Sequence, residues 1–560
     1  MARQLIECVP NFSEGVDQEI IRQITATIEA VNGVSLLDVD PGKATNRTVV
    51  TFVGEPEPVI EAAFQAIKKA SELIDMRQHR GEHPRMGATD VCPLIPVSHI
   101  TMEETVVFAK KLAQRVGEEL AIPVFLYEAA ATSPERTNLA TIRAGEYEGL
   151  KEKLAQPAWK PDYGPTAFNA KSGATVIGAR DFLIAYNINL NTTSTRRANS
   201  VAFDLRENGR VKEVDGKKVL DASGQEVREP GLLKSVKAIG WYIEEYGIAQ
   251  ISMNLTNISV TPMHVAFDAA VERAHARGLR VTGSELVGLV PLQSLLDAGK
   301  YFLTKQRRSC GLSEREIIRI AVKSMGLDEL APFDPDKKII EYVLMNESGQ
   351  SEKKLIGMNL VQFADETASE SPAPGGGSIS AYVGALGASL ATMVANLSSH
   401  KKGWDDRWQY FSAWAEKGQA LKTTLLDLVD EDTNSFNQIM AAFALPKTTE
   451  TEKNQRSLAI QEATLYATQV PLKTMQVCFQ NFEIARAMVD QGNPNSVTDA
   501  AVGALCTRSA IYGAFLNVKI NAGGLKDKQL AEQLVQEAQT ILDAAFEQEK
   551  EILALTMTKM

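Results

Sequence analysis

The spacing of apolar residues divides the chain before any side-chain chemistry is considered. Residues 4–9 form a short apolar run, and 16–30 place apolar residues every three to four positions, which gathers them on one face of a helix. This predicts a strand followed by a helix, with Ser13 placed to open it. Val- and Thr-rich runs at 34–40 and 47–53 predict two further strands, and 57–73 predicts a second helix. A polar loop follows at 75–90, then a short apolar run at 91–95. Thr101, with Glu104 three residues on, forms a capping-box start for a third helix, and 122–127 closes the block as a strand. The order then repeats: a strand at 182–190, a helix at 194–206, a strand pair at 233–243 and 249–254, a helix at 265–277 and a short strand at 279–281. Both blocks read β-α-β-β-α-β. That predicts two α/β subdomains, 1–181 and 182–333, each with a mostly antiparallel sheet and helices on one face.

The texture changes at 334. Residues 334–355 are charged and polar, contain Pro335, and read as a linker. Beyond 360 strand signals nearly vanish, and helical segments are predicted at 360–366, 379–397, 406–436, 450–481, 482–491, 496–518 and 528–554. The expected fold class is therefore multidomain: two α/β subdomains followed by an all-α helical bundle at 356–560. The run 379–397 is long enough to raise the membrane question. Gly, Ser and Asn dilute it, so it reads as a buried, Ala-rich bundle helix, and no transmembrane segment is expected.

Composition narrows the function classes. The 560 residues include 59 Lys and Arg against 70 Asp and Glu, a net charge of −11. That argues against a nucleic-acid binder, while leaving room for a local basic pocket. A hydrophobic fraction of 44% rules out disorder as the main state. Cys8, Cys92, Cys310, Cys478 and Cys506 are odd in number and scattered, without a CxxC pair. Neither a disulfide scaffold nor a zinc site is expected; buried thiols in the cytoplasm are. Glu7 and Pro10 interrupt the first apolar run, which lacks the continuous core of a signal peptide.

Candidate chemistry concentrates in a few stretches. The loop RQHRGEHPRMGATD holds His79 and His83, two of six histidines, with Arg77, Arg80, Arg85, Glu82, Asp90, Gly81 and Gly87. Histidine titrates near neutrality and is the commonest general acid/base; Glu82 or Asp90 is placed to orient it. The alternative is that both are solvated surface histidines. Asp38 and Asp40 stand at a strand end ahead of Asn46 and Arg47, a pattern that suits ligand contacts and equally suits turn chemistry. Pro10, Asn11 and Ser13 form another polar strand end. Residues 163–182, rich in Gly and small residues, read as a connection or a loop over a flat ligand, and carry no nucleotide-phosphate motif. SPAPGGGS at 371–378 leads straight into a helix, where exposed N–H groups suit a carboxylate or phosphate; a flexible linker is the other reading. Asp427, Asp430, Glu431 and Asp432 form an acidic run that is either a solvated helix face or the source of one buried acid/base. Lys401, Lys402 and Arg407 lie close in sequence and can attract an acidic tail.

Taken in order, ECVPNFSEG, LLDVDPGKATNRTVVTFVG, QHRGEHPRMGATDVCPLIPV, LVGLVPL and SPAPGGGS resemble the bifunctional formimidoyltransferase-cyclodeaminases of histidine degradation, from one end of the chain to the other. The resemblance implies two folate-dependent activities. The α/β pair would transfer the formimidoyl group of N-formimidoyl-L-glutamate to N5 of tetrahydrofolate and release glutamate. The helical domain would then close the ring to 5,10-methenyltetrahydrofolate and expel ammonia. It places the transferase acid/base on His83 and the deaminase acid/base on Asp432, with Asp430 and Glu431 as neighbouring rivals. Asp40 would contact the folate or support proton movement. The folate-contacting stretch falls on Gly164, Pro165, Thr166, Ala167, Phe168, Asn169, Ala170, Lys171, Ser172 and Gly173. Gly375, Gly376 and Gly377 would hold part of the folate through their backbone. Arg47 and Arg85 are expected at the glutamate carboxylates, because guanidinium pairs bidentately with carboxylate; His79 is the rival base. The resemblance requires no metal. It implies a homo-oligomer, a ring of dimers, and folate that can carry a polyglutamate tail. Two competing readings are a formimidoyltransferase whose helical domain only mediates assembly, and a non-catalytic folate-binding scaffold.

Overall fold

The computed structural model describes residues 4–42, 46–81, 84–215, 217–221, 224–244, 246–347 and 355–560. The chain separates into two compact units, 1–294 with 325–348, and 295–324 with 349–560.

The first unit begins with β1 (Leu5–Cys8), β2 (Asn11–Phe12), α1 (Gln18–Glu29), β3 (Val34–Gly42), β4 (Arg47–Gly54), α2 (Pro56–Leu73), β5 (Thr89–Ser98), α3 (Met102–Glu119) and β6 (Val124–Glu128). The short helices α4 (Leu139–Arg143) and α5 (Leu150–Leu154) precede β7 (Thr175–Ala179). The strands form one sheet in the order β1-β4-β2-β5-β7-β6, with β3 on β4. Pairing is antiparallel except at β7, which runs parallel to both β5 and β6. Strand β7 lies inside 163–182, expected to be a connection or a loop over a flat ligand. Its sequence TVIGA is continuously buried, as a central parallel strand must be.

Ile6, Cys8, Phe52 and Leu94 turn to the face covered by α1–α3. Val91, Phe125, Tyr127 and Val176 turn to the opposite face, where Ile142, Leu150 and Leu154 of α4 and α5 pack on them. That second cover was not expected. Two caps differ in outcome. Thr101 and Glu104 form the expected capping box of α3. Helix α1 is capped by Asp17, whose carboxylate accepts from Glu19 and Ile20 N–H, while Ser13 donates to Gly87 O at 2.8 Å and ties the loop down. Cys8 and Cys92, far apart in sequence, bring their Sγ atoms within 3.5 Å on adjacent strands.

The second α/β block has β8 (Ile184–Leu190), α6 (Thr195–Leu205), two exposed ribbons made of β9 (Arg210–Val211), β10 (Glu213–Val214), β11 (Lys217–Lys218) and β12 (Arg228–Glu229), then β13 (Val236–Ile243), β14 (Ile248–Leu255), α7 (Met263–His275) and β15 (Val281–Val287). Its sheet, β13-β14-β8-β15, is antiparallel throughout. The last strand starts where the expected one at 279–281 ends.

Helices α8 (Leu292–Lys305) and α9 (Glu314–Met325) follow, and most of their residues belong to the second unit. The stretch read as a linker holds α10 (Pro335–Lys338) and α11 (Ile340–Glu347). Ile339 and Ile340 are fully buried, and Val290 and Ile340 exchange backbone hydrogen bonds with their surroundings, so 335–340 is packed structure of the first unit.

The second unit continues with α12 (Leu360–Thr367), α13 (Gly376–Ser399), α14 (Trp408–Ala444), α15 (Glu450–Phe479), α16 (Asn481–Gln491), α17 (Val497–Ala522) and α18 (Lys528–Lys559). Alanine is the commonest residue of its core, which lets helices approach closely. A Cβ on Gly387 of α13 would lie 2.6 Å from Thr507 Oγ1 and 2.9 Å from Gly503 O on α17. Among the described residues α13 is the one helix long and apolar enough to cross a membrane; its buried face is packed inside the bundle.

Candidate functional sites

In the first unit, polar residues from four elements meet at one end of the sheet. Asp90, the second residue of β5, is fully buried. Its Oδ1 accepts from Met86 N–H at 3.0 Å, and its Oδ2 takes both the Arg47 and the Arg143 guanidinium. Arg47 donates its remaining directed bonds to Asn11 Oδ1, at 3.0 and 2.8 Å. Asn46, at φ 46°, joins the layers: its side chain accepts from Gly15 N–H and donates to Arg80 O, both at 2.9 Å, and its carbonyl accepts from His79 Nε2 at 2.9 Å.

Both nitrogens of His79 are engaged. A carbonyl only accepts, so Nε2 carries the proton, and Nδ1 takes the Arg85 Nε–H at 3.3 Å. Burial, and then the charge of Arg85, pushes its pKa below the ordinary value of 6.5. The ring is a neutral brace with no lone pair open to a substrate. Glu82 and His83 lie outside the described residues; Pro84, next to His83 in the chain, lines the adjoining cavity.

The arginines expected at the substrate carboxylates are both occupied by protein. Arg85 is 6% exposed and holds Glu148 through two nitrogens, at 2.8 and 2.7 Å, and Glu146 at 3.0 Å. Arg47 is committed to Asp90 and Asn11. Asp40 is exposed on β3, in register with Val49, which also pairs with Asn11; the three stand in a row across the sheet.

The segment from Gly164 to Gly173 packs on Met76, Gly87 and Ala88. Met76 N–H donates to Lys171 O and Ala88 N–H to Ser172 O, while Gly87 and Gly173 form a bridge. Asn169 closes a turn onto Ser172 N–H, Tyr147 O–H donates to Ala170 O at 2.6 Å, and the Phe168 ring packs on Tyr147. The structure thus joins this segment to the loop that carries His83, but its residues do not line the neighbouring cavity. That cavity, of about 870 Å³, is bounded by the end of β6, α4, the chain after β7 and the second sheet. Tyr127, Glu128, Asn138, Arg143, Arg180 and Lys237 are among its lining residues; Tyr127 and Lys237 lie on strands expected from the sequence, Arg143 lies on a helix that was not expected, and none of the six is a site candidate of the sequence.

In the second unit a smaller cavity, of about 130 Å³, opens at the N-terminus of α13. Pro372, Gly375, Gly376, Gly377, Asp432, Phe436, Asn517 and Asn521 line it. Gly375 caps the helix, so the glycine turn is folded structure at the positive end of a helix. The anion held there is the protein's own: Asp432 Oδ2 accepts from Ser378 N–H at 2.8 Å and Ser378 Oγ–H at 3.0 Å. Burial raises the Asp432 pKa, and the two Ser378 bonds pull against it. The other acids of the run turn elsewhere. Asp430 accepts from Leu355 N–H at 2.8 Å, and Glu431 accepts from the Tyr466 hydroxyl. Lys401 and Arg407 stack on Trp404 at the far end of α13, about 36 Å along the helix from the glycines. Asn517 and Asn521 had no sequence signal; only the packing of α17 against α13 brings them in. Among the described residues no cluster of His, Cys, Asp or Glu is arranged to hold a metal ion.

Family models match three consecutive stretches: "Formiminotransferase domain, N-terminal subdomain" over 5–180, "Formiminotransferase domain" over 185–345 and "Formiminotransferase-cyclodeaminase" over 359–540. The chain is 45% identical to a formimidoyltransferase-cyclodeaminase of Rattus norvegicus over 544 residues, 96% of this chain and 97% of that one. It is 43% identical to a glutamate formimidoyltransferase of Streptococcus pyogenes over 300 residues, 54% of this chain and 93% of the relative. A solved structure of formiminotetrahydrofolate cyclodeaminase from Thermotoga maritima matches 36% of this chain and 98% of its own, at 25% identity and a TM-score of 0.32.

Proposed function

The chain belongs to the formimidoyltransferase-cyclodeaminase family, and from that premise we propose how its residues carry the family's two activities. It is a bifunctional enzyme of histidine and folate one-carbon metabolism, a transferase and a cyclodeaminase in one polypeptide, with tetrahydrofolate as co-substrate.

In the first unit, the neutral amine N5 of tetrahydrofolate attacks the amidinium carbon of formimidoylglutamate. The N5 proton must leave, and the departing glutamate nitrogen must gain one. His83 carries that proton between the two nitrogens. The commitment of both His79 nitrogens supports this assignment over its rival. Arg47 and Arg85 shape the site through Asp90, Asn11 and Glu148, and Asp40 and the 164–173 segment contact the folate.

In the second unit, N10 attacks the formimidoyl carbon, loses its proton, and ammonia leaves from the same carbon. The overall charge is unchanged, because the proton lost by N10 departs on the ammonia. One carboxyl group can take it and return it. The observation that carries the assignment is that Asp432, alone in its acidic run, lines the cavity at the glycine turn with Oδ2 pinned by Ser378. A raised pKa brings a carboxyl closer to the operating pH, where it can both accept and donate. Gly375, Gly376 and Gly377 leave room for the folate above it.

We place the enzyme in the cytoplasm as a homo-oligomer. The apolar stripe Val502, Leu505, Tyr512, Leu516 and Ile520 along the exposed side of α17 supports self-association. A coupled assay on wild type, His83→Ala and Asp432→Ala tests the residue roles, with glutamate, ammonia and methenyl-folate followed separately. His83→Ala should stop glutamate release. Asp432→Ala should release glutamate and accumulate 5-formimidoyltetrahydrofolate without ammonia. Unimpaired ammonia release by Asp432→Ala would remove that residue from the mechanism.

A further inference from the structure

The cavity of the first unit is lined by groups of both signs. Arg143, Arg180 and Lys237 bring positive charge, and Glu128, Glu146 and Asp181 bring negative charge. Two of these carboxylates are spent: Glu146 on Arg85, and Asp181 on the Asn257 amide and the Ser259 hydroxyl. Among the described residues, no hydrogen bond or ion pair engages the Glu128 carboxylate. Glu128 is the last residue of β6 and sits at φ 50°, the left-handed region that a β-carbon disfavours. The backbone around it is fixed, since Ala129 N–H donates to Ala179 O on β7 and Ala131 N–H to Glu128 O, both at 3.0 Å. Glu128 is thus a residue fixed by its surroundings, whose carboxylate on the cavity wall feels the charge of Arg180 and Asp181 but accepts no hydrogen bond among the described residues. On the same cavity, Arg143 is held by Asp90 through one terminal nitrogen, while its Nε is buried with no hydrogen-bond partner.

The donor substrate has matching chemistry. An N-substituted formamidine is protonated at neutral pH, giving a planar cation, and formimidoylglutamate joins that cation to two carboxylates. A planar amidinium meets a carboxylate through two parallel N–H···O bonds, as guanidinium does. We propose that Glu128 binds the amidinium of formimidoylglutamate, while Arg143 and Lys237 face its carboxylates. This rests on the reading of the first unit as the transferase. In the reaction the bond from the formimidoyl carbon to the glutamate nitrogen breaks, and the bond to N5 forms. The terminal nitrogen keeps its bond to carbon throughout. A carboxylate on that nitrogen therefore holds the travelling group from substrate to product and keeps the carbon electrophilic by favouring the protonated amidine. It also gives the site a means of rejecting the formyl analogue, in which a neutral oxygen replaces the terminal nitrogen.

The test compares wild type, Glu128→Gln and Glu128→Asp in glutamate release, with N-formyl-L-glutamate as a competitive inhibitor. Ammonia release from supplied 5-formimidoyltetrahydrofolate reports folded protein in each variant. Glu128→Gln should raise KM for formimidoylglutamate about 10- to 100-fold, the worth of a charged hydrogen bond. KM for tetrahydrofolate and Ki for formylglutamate should stay within about twofold, so that discrimination between amidine and amide collapses. Glu128→Asp should recover part of the loss. An unchanged KM, or equal weakening of both glutamate derivatives, overturns the proposal. A wild type that releases no glutamate overturns the transferase reading itself.

Discussion

A Cβ on Gly377 would stand 2.5 Å from Cγ and 2.7 Å from Oδ2 of Asp432, and closer still to Oδ1. The third glycine of the turn is therefore the floor on which the Asp432 carboxylate of α14 rests. Gly376 has more room, since its Cβ would meet the end of a flexible side chain, Asn517 Nδ2, at 3.4 Å. Gly377→Ala should displace the carboxylate from Ser378 and cut the rate of ammonia release by about 100-fold or more, the scale of a lost general acid/base. Glutamate release should be unchanged, and Gly376→Ala should be far milder. The two product assays run on each variant check this.

Much of this arrangement was legible in the sequence, and the failures have physical reasons. Helical periodicity and the capping pair Thr101 and Glu104 report local geometry, so the order of elements came through. Strand β7 did not, because a strand buried on both faces shows no alternation and TVIGA sits among glycines and serines. Arg47 and Arg85 looked available because their carboxylate partners Asp90 and Glu148 lie 43 and 63 residues further on. Nothing local distinguishes a buried structural guanidinium from one awaiting a substrate. The pairing of Gly377 with Asp432 spans 55 residues and is equally invisible without the bundle.

His79 braces the loop and should behave as structure. His79→Ala strands the Asn46 carbonyl and the Arg85 Nε–H, which should cost about 1–3 kcal/mol in a urea titration. The pH midpoint of glutamate release should not move, since the ring takes no part in proton transfer. The depressed pKa gives a further sign. The unfolded ring binds a proton before the folded one, so wild-type stability should fall as the pH drops below 6.5. That component should be absent from the variant.

Lys153 secures the platform that presents Arg143. Its ammonium donates to the carbonyls of Thr141, Ile142 and Ala144 at 3.3, 2.6 and 2.8 Å, at the end of α4, and lies 4.1 Å from the centre of the Trp159 ring. Lys153→Met keeps the stem and removes the charge. It should destabilise the protein by about 2 kcal/mol and raise KM for formimidoylglutamate, because α4 frays and Arg143 loses its fixed position. A urea titration paired with initial rates checks both effects, and the deaminase rate should be preserved.

Glu7 should make the first unit less stable in base than in acid. It lies on β1, in register with Val53 and Ile95, and is 6% exposed. Burial pushes its pKa from 4.5 up to about 7, against the pull of Arg180. With the folded pKa above the unfolded one, the native state holds its proton more tightly. The stabilisation is complete below pH 4.5 and is lost progressively as the pH rises through about 7. A shift of this size corresponds to about 3 kcal/mol. Glu7→Gln keeps the shape and removes the titration, so its stability relative to wild type should grow by about that amount between pH 5 and pH 8. Urea midpoints of the two proteins at the two pH values give the comparison. A constant gap would mean that Glu7 is already ionised at pH 5 in the folded protein, with Arg180 outweighing the cost of burial.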